Sequence, residues 1–330
     1  MTDERHWQSP VLQSVLPVIE GSAHVATSNE AVDRVAAWMA YEEFAWPEAG
    51  VAGEFSFADA VIATDAVMFS NLLNFAFTDF DSGTKFEATY RGRVWSDSEA
   101  MFARIHEAVE KGVPLFDGAF LAEIDRDTLN RLFAGNIEIP MLDERVEILR
   151  QAGRTLVDHH GGSLHHFVMS GPPRMYGAGD GLIDRMVTEF PRFDDTTVVG
   201  GLEVRFHKLA QLALWNLHTR SPDGWFLEDI EMMTAFADYI LPVALRLLGI
   251  LEWSEDLVNR VAAGVEIPRD SIEEVELRAH TIYATALLTD AINAIRPSNL
   301  GLIIPQVDFR LWKAYHATFV PHHLTRTIMY

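Results

Sequence analysis

Ten stretches of this chain repeat apolar residues every three to four positions, and this periodicity constrains the fold more strongly than any other feature of the sequence. Such spacing places the apolar side chains on one face of an α-helix, so each stretch predicts an amphipathic helix. Asp97, Asp125 and Ser254 stand directly before helical stretches, where such residues cap helices. The predicted helices cover 31–41, 97–111, 125–134, 142–160, 182–190, 204–218, 242–251, 255–263, 271–295 and 307–318.

Strand signals are few by comparison. Only 89–95 and 197–200 have the composition of strands, and together they predict at most one short β-ribbon. The chain has no fixed-period repeat, low-complexity tract or long Pro/Gly/Ser linker. We therefore expect a mainly α fold in a single domain covering 1–330, with the N-terminal third as a looser subdomain.

The acidic composition of the chain limits the kinds of molecule that it is expected to bind. Lys and Arg number 26 against 48 Asp and Glu, which gives a formal net charge of −22. A surface this acidic repels the phosphates of nucleic acids and anionic lipid head groups, so neither intact nucleic acid nor a membrane is expected as a partner. The apolar stretch 239–253 is too short to span a bilayer and contains Pro242 and Arg246. Because the first residues contain no apolar signal segment, we expect a cytoplasmic protein; its oligomeric state stays open.

Metal and cofactor signals are weak. The chain has no cysteine, which excludes thiolate nucleophiles and zinc–cysteine sites. The histidines at 159, 160, 165 and 166 do not have the spacing of a metal-binding helix, and glycines separate the two pairs. The glycines at 177, 179 and 181 have neither the spacing nor the preceding strand of a dinucleotide-binding loop. We therefore expect no metal and no cofactor.

A series of short motifs follows one another along the chain in a recognisable order. The most specific is Phe236-Ala237-Asp238-Tyr239 followed by Pro242. The others are Leu73-Asn74-Phe75-Ala76-Phe77, Tyr90-Arg91-Gly92, Ile139-Pro140-Met141-Leu142 with Glu144-Arg145, Gly161-Gly162-Ser163, Phe190-Pro191, Asp195, Lys208-x-Ala210-Gln211, Glu274-x-Glu276-x-Arg278, Asp308 with Leu311-Trp312, and Pro321-x-His323.

In this order the motifs resemble those of the queuosine salvage protein family, from about residue 20 to the end of the chain. Ile240 and Leu209 stand where the family usually has arginine, and Lys313 where an acidic residue is common. These departures concern polar contacts at the edge of the pocket. The resemblance implies a mainly α-helical fold similar to helical DNA glycosylases.

The resemblance also implies an activity. It implies a metal-independent N-glycosidase that hydrolyses queuosine 5′-phosphate to queuine and ribose 5-phosphate, for salvage of the modified base used in tRNA. Breaking the C1′–N bond builds positive charge on the ribose, which a nearby carboxylate can stabilise. The 7-deaza base lacks the N7 atom that an ordinary purine can protonate on leaving, so stabilisation on the sugar side must contribute more. Asp238 is the expected catalytic carboxylate, and the alternative is that Asp238 only caps the helix containing Pro242.

Substrate contacts are expected at nine further residues. Lys208 on an apolar helix would bind the 5′-phosphate, and its alternative is a lysine whose stem covers the core edge. Asp308 and Trp312, four residues apart on one helical face, would bind the amine and the ring of the base, and their alternative is a solvated aspartate and a core tryptophan. Glu274, Glu276 and Arg278 are expected to be structural. The remaining expected contacts are Phe236, Tyr239, Asn71, Asn74, Phe75 and Phe77.

Two alternatives to this activity stay open from the sequence. One is a nucleosidase for another purine-like nucleotide, which a panel of substrates would distinguish. The other is a non-catalytic helical module that binds tRNA or protein. The tRNA version needs a basic stripe, and the acidic composition argues against one.

Overall fold

The computed structural model describes residues 5–44, 55–220, 224–316, 318 and 320–330. In chain order the α-helices of this described part are α1 (Pro10–Gly21), α2 (Asn29–Met39), α3 (Ala60–Leu72), α4 (Asp97–Glu110), α5 (Gly118–Glu123), α6 (Arg126–Leu132), α7 (Leu142–His159), α8 (Leu164–Met169), α9 (Leu182–Glu189), α10 (Lys208–Arg220), α11 (Leu241–Leu247), α12 (Glu255–Ala262), α13 (Ile272–Ile295) and α14 (Ile304–Tyr315). Short 3-10 turns cover Arg5–Gln8, Pro191–Phe193, Ile230–Met232 and Ser298–Leu300. The mainly α class is confirmed.

The β structure of the described residues consists of three antiparallel sheets of two strands each. The strands are β1 (Val25–Thr27), β2 (Glu87–Tyr90), β3 (Arg93–Ser96), β4 (Thr196–Val199), β5 (Leu202–Arg205) and β6 (Leu251–Trp253). β2 pairs with β3 and β4 with β5 as hairpins, while β1 pairs with the distant β6. The two segments predicted to form one ribbon, 89–95 and 197–200, therefore belong to two separate hairpins.

Two predicted helices differ from the structure at one end. The helix predicted at 204–218 begins at Lys208, because residues up to Arg205 pair as β5 across the Gly200-Gly201 turn, where both glycines have positive φ. The helix predicted at 242–251 ends at Leu247, since Gly249 adopts φ +75° and the chain then enters β6. The other eight predicted helices are present with ends shifted by up to three residues.

The chain divides into two compact units. The first consists of Met1–Pro47, Asp195–Gln211 and Asp229–Arg326, and the second of Glu48–Asp194, Leu212–Glu228 and Thr327–Tyr330. That the whole chain forms one domain stays a prediction. None of the helices in the described part of the chain is both long and apolar enough to cross a bilayer.

In the first unit, the 24-residue helix α13 runs through the core. Val275, Ala279 and Ile282 of α13 pack in one apolar cluster with residues of α1, and Leu277 and Leu288 pack in another with residues of α2, α11 and α14. Because opposite faces of α13 are covered, its sequence is apolar around most of its circumference. This helix therefore provides a rigid support for polar groups inserted along it.

The second unit contains a close helix crossing between α5 and α7. Gly153 of α7 lies so near α5 that a Cβ atom built on it would approach the backbone nitrogen of Ala122 to 2.3 Å. Only glycine allows the two backbones to come this close.

Candidate active site

Asp238 lies in the segment of the first unit that leads into α11. Its Oδ1 accepts hydrogen bonds from the backbone N–H groups of Ile240 (2.8 Å) and Leu241 (3.1 Å), while its Oδ2 accepts none from the described residues. Asp238 thus accepts the N–H of Leu241, the first residue of α11, from a position before the N-cap residue Ile240, and its catalytic role stays a prediction. The capping oxygen fixes the carboxylate, and the second oxygen is left for another partner. The side chain is 8% exposed.

The two peptide groups that precede Asp238 are held by side chains from distant helices. The backbone N–H of Phe236 donates to Oδ2 of Asp308 on α14 (2.7 Å), and Nε of Arg278 on α13 donates to the carbonyl of Ala237 (3.1 Å). Both side chains are buried. The position of Asp238 is thus defined by two supporting helices as well as by its own cap.

Arg278 takes part in a larger buried network. Its guanidinium forms two hydrogen bonds with Asp195, Nη1 to Oδ1 at 2.9 Å and Nη2 to Oδ2 at 2.5 Å, and lies 3.9 Å from the centre of the Phe206 ring. Burial alone would raise the pKa of Asp195, but the charge and hydrogen bonds of Arg278 outweigh burial and hold this pKa below its usual value. Oδ2 of Asp195 also accepts the backbone N–H of Lys208 (3.3 Å). One ion pair therefore connects the segment before Asp238 with the start of α10.

Lys208 is the first residue of α10 and is buried. It follows His207, whose φ of +47° turns the chain sharply from β5 into the helix. Gln211, one turn later, holds the same region together: its Oε1 accepts the backbone N–H of Thr234 (2.9 Å) and its Nε2 donates to the Thr234 hydroxyl (3.0 Å). The Lys-x-Ala-Gln motif thus fixes the first turn of α10 to the segment containing Asp238.

Asp308 interacts electrostatically with both Asp238 and Lys208. Burial raises the pKa of Asp308 well above its usual value, and the nearby Asp238 carboxylate raises it further. The hydrogen bond from Phe236 and the charge of Lys208 oppose this increase without cancelling it. The structure therefore brings together two carboxyl groups with different surroundings and one cation, all buried in the first unit.

Aromatic side chains lie on the same elements as these charged groups. Phe236 is buried, and the ring of Tyr239 lies 4.4 Å from that of His322. Trp312 lies on α14 one turn after Asp308, and its ring stacks on His316 with centroids 4.5 Å apart. The i,i+4 placement of Asp308 and Trp312 on one helix is confirmed.

The four expected base-binding residues Asn71, Asn74, Phe75 and Phe77 lie in the second unit. Phe75 and Phe77 are buried, and the Arg145 guanidinium lies 4.1 Å and 5.4 Å from their ring centres. Arg145 also donates to the carbonyls of Leu73, Phe75 and Ala76. Asn71 donates from Nδ2 to the Val67 carbonyl (2.9 Å). This segment is thus organised around a buried arginine, and its role in binding a base stays a prediction.

The histidines at the end of α7 and the start of α8 do not form a metal site with other described residues. His160 is buried and pairs with Glu189 at 2.5 Å, whereas His159 is exposed. Across the described ranges, no group of three His, Asp or Glu side chains is arranged to hold a metal ion. The absence of a metal requirement stays a prediction.

Reasoning from the sequence missed the function of Asp195 and Arg278. Asp195 appeared only within the motif series, and Arg278 was expected to support its own helix. Nη1 of Arg278 does lie 3.5 Å from Oε1 of Glu274, one helical turn away. The Glu276 carboxylate accepts hydrogen bonds from the backbone N–H groups of Ala23, His24 and Val25. The one available signal was that three charged residues alternate along an otherwise apolar helix, where burial requires partners.

Fold and site together define a mainly α-helical protein with a buried aspartate beside a lysine and a second carboxyl group. The sequence pattern of the queuosine salvage protein family matches residues 58–330. The chain belongs to this family.

Individual relatives agree with this assignment. A protein of Sphaerobacter thermophilus is 34% identical over 97% of this chain and 97% of its own length. Relatives from Schizosaccharomyces pombe and Mus musculus are 31% and 28% identical, over 76% and 78% of this chain and 74% and 79% of their own lengths. All three carry the name queuosine 5′-phosphate N-glycosylase/hydrolase.

Proposed function

We propose that this protein is a hydrolase of N-glycosyl bonds that converts queuosine 5′-phosphate to queuine and ribose 5-phosphate. The observation that carries the proposal is the Asp238 carboxylate, which is fixed through one oxygen and has no partner for the other among the described residues. Asp238 and the buried Lys208 both interact with Asp308. Relatives that share up to 34% of the sequence bear the name of this activity.

In the proposed reaction the C1′–N bond breaks and its electron pair leaves with the base. The oxygen of a water molecule forms the new bond to C1′, and the base gains a proton overall. Positive charge builds on the ribose as the bond breaks, so a carboxylate oxygen held beside C1′ stabilises the transition state more than the ground state. We assign this role to Oδ2 of Asp238. The cap through Oδ1 lets the carboxylate act without first having to be oriented.

Lys208 is assigned to the 5′-phosphate. It is a buried cation in a chain of net charge −22. Although the chain as a whole repels anions, Lys208 attracts an anionic group at this position. Its backbone is tied to Asp195, and through Arg278 to the segment of Asp238. We propose that this connection sets the distance between the phosphate and C1′.

The base is assigned to Asp308 and the aromatic residues Trp312, Phe236 and Tyr239, all of the first unit. Queuine carries a secondary amine, and a cation beside the Asp308 carboxyl would favour its ionised form against burial. An aromatic ring one helical turn away provides a flat apolar surface for the base.

The proposed substrate is a mononucleotide rather than intact tRNA. A tRNA-binding surface draws most of its affinity from contacts to phosphates, and 26 Lys and Arg against 48 Asp and Glu leave little for such a surface. We propose that the enzyme acts in the cytoplasm on nucleotides released by tRNA turnover.

The test is incubation with four substrates, followed by mass spectrometry of the free base. The substrates are queuosine 5′-phosphate, queuosine, guanosine 5′-phosphate and intact queuosine-containing tRNA. We expect queuine from the first and none from intact tRNA. Comparable base release from guanosine 5′-phosphate would instead indicate a general nucleosidase. Release from none of the four would indicate a binding module.

A further inference from the structure

The second unit contains a partly open cavity of about 110 Å³ that the proposed reaction does not use. Residues before and along α3, the second half of α4 and the last turns of α10 form its wall. None of its lining residues is among those assigned to the nucleotide. The side chains that give it its chemical character are Phe55, Phe57, Phe102, His106, Asn216 and Arg220.

The apolar part of the wall is aromatic. The rings of Phe57 and His106 stack with their centres 4.1 Å apart, and Phe55 lies within 6.2 Å of Phe102. Cavities of about 150 Å³ lined by apolar side chains bind benzene. The space here is therefore suited to a molecule with about one six-membered ring.

Three polar side chains of the wall have nitrogen or oxygen atoms without a hydrogen-bond partner within the described ranges of the chain. The guanidinium of Arg220 forms no hydrogen bond or ion pair with them, and its Nε is fully buried. The amide of Asn216 forms no hydrogen bond with them, although the residue is only 8% exposed. Nε2 of His106 is likewise buried without a partner, while the ring is bonded to the carbonyl of Phe55.

Buried polar groups without partners destabilise the fold unless a ligand supplies the missing partners, and a cation removed from water without a counter-charge destabilises it most. Burial lowers the pKa of both Arg220 and His106, which reflects the same shortage of compensating groups. An anionic group beside Arg220 and Asn216 would supply the charge and the hydrogen-bond acceptors that the wall lacks.

We propose that this cavity binds a small aromatic carboxylate, with the carboxylate against Arg220 and Asn216 and the ring against the phenylalanines. A carboxylate matches the planar fork of a guanidinium, and a single ring matches the volume. The site is a second ligand site in the second unit and does not depend on the activity proposed above.

The experiment is calorimetric titration of the full chain with benzoate and with benzyl alcohol, which has a similar shape without the charge. Three substitutions separate the contributions. Arg220→Met removes the charge, with Arg220→Gln as a second charge variant, and Ala66→Leu fills the cavity from α3. Arg131→Met removes the charge of an exposed arginine in the same unit that does not line the cavity. Circular dichroism establishes that each variant is folded.

We expect saturable binding of benzoate with one site per chain. Arg220→Met should weaken benzoate binding by about tenfold or more, which corresponds to about 1.4 kcal/mol, and change the affinity for benzyl alcohol little. Ala66→Leu should weaken both ligands, and Arg131→Met neither. The proposal is overturned if benzoate shows no saturable binding, if Arg220→Met affects both ligands equally, or if Ala66→Leu leaves benzoate binding intact. Because binding is measured directly, these outcomes are readable whether or not the chain hydrolyses a nucleotide.

Discussion

We expect the buried ion pair between Arg278 and Asp195 to affect both the stability of the fold and the position of the proposed catalytic residue Asp238. Arg278→Met leaves the Asp195 carboxylate buried without its counter-charge, in a position where both residues are at most 4% exposed. Removing one partner of a buried pair typically costs about 3–5 kcal/mol. We expect a loss of this size in the free energy of unfolding at pH 7, measured by urea denaturation.

The same variant should show a distinctive pH dependence. In the native protein Arg278 holds the pKa of Asp195 below its usual value against the effect of burial, which is the largest single influence. Without Arg278 the Lys208 N–H and His207 still lower this pKa, but we expect burial to outweigh them and raise the pKa above its usual value. The folded variant then binds a proton that the unfolded chain does not yet bind. Its stability deficit should therefore shrink as the pH falls from 7 towards the acid range.

Adding Asp195→Asn to Arg278→Met separates a structural role from positioning. The double variant removes the buried charge at residue 195, and the introduced amide oxygen can still accept the Lys208 N–H. Stability should therefore recover in part only, because Glu274 also loses its ion pair with Arg278. Turnover should not recover, because the carbonyl of Ala237 still lacks its donor. If turnover recovers together with stability, or if Arg278→Met costs less than about 1 kcal/mol in unfolding free energy, then the reasoning about this pair is wrong.

Two further predictions concern the phosphate and acid stability. Lys208→Met should reduce kcat/KM for queuosine 5′-phosphate far more than for queuosine, because only the nucleotide carries the phosphate charge. Equal losses of kcat/KM on both substrates would indicate that Lys208 has only a structural role. The ring of His280 is buried between the hydroxyls of Thr27 (2.8 Å) and Ser22 (2.9 Å), and burial lowers its pKa from 6.5 to about 4. The unfolded chain therefore binds a proton on this ring below pH 6.5 that the folded chain does not, so stability should fall by about 1.4 kcal/mol per pH unit down to about pH 4. In urea unfolding at several pH values, His280→Gln should lessen the slope by this amount, while the buried His323, whose pKa is also lowered, keeps its own contribution. The exposed His159→Gln should leave the slope unchanged, and identical slopes in all three proteins would contradict the assignment.

The helices that the sequence predicts well are those with one apolar face. α7 and α12 are examples, since each presents a narrow buried stripe and a polar surface. α3 was missed because five consecutive residues, Met68 to Leu72, are buried, and a helix covered on all sides has no periodic pattern. α5 and α8, with six residues each, are too short for a periodic signal.

Pairing between distant residues could not be predicted. β1 and β6 are separated by more than two hundred residues, and neither three-residue strand has a turn signal that points to its partner. The hairpins were predicted only in part. The predicted segment 89–95 runs across the turn between β2 and β3, and in the other hairpin only β4 had the composition of a strand, because β5 contains the charged residues Glu203 and Arg205.

In the candidate site, too, local motifs could be predicted from the sequence, but contacts between distant residues could not. Asp238, Lys208 and Asp308 could be named because residue types with a clear chemistry stand in short motifs, and the position of Asp238 directly before the helix that contains Pro242 is confirmed. Asp195 and Arg278 are separated by 83 residues and meet only in the folded first unit. Their function is to hold other groups in place, which a local pattern does not reveal.

The most direct test of the central claim is the turnover of Asp238→Asn. Asparagine keeps an oxygen that can accept the N–H groups of Ile240 and Leu241, and it caps helices about as well as aspartate, so the fold and the affinity for the nucleotide should be preserved. Asp238→Ala is the matched control, because it also removes the cap and should lose about 1 kcal/mol of stability. With the negative charge gone, we predict that kcat for queuine release falls by about two to three orders of magnitude or more in both variants. A folded Asp238→Asn protein that releases queuine at nearly the native rate would contradict the assignment of Asp238 as the catalytic carboxylate.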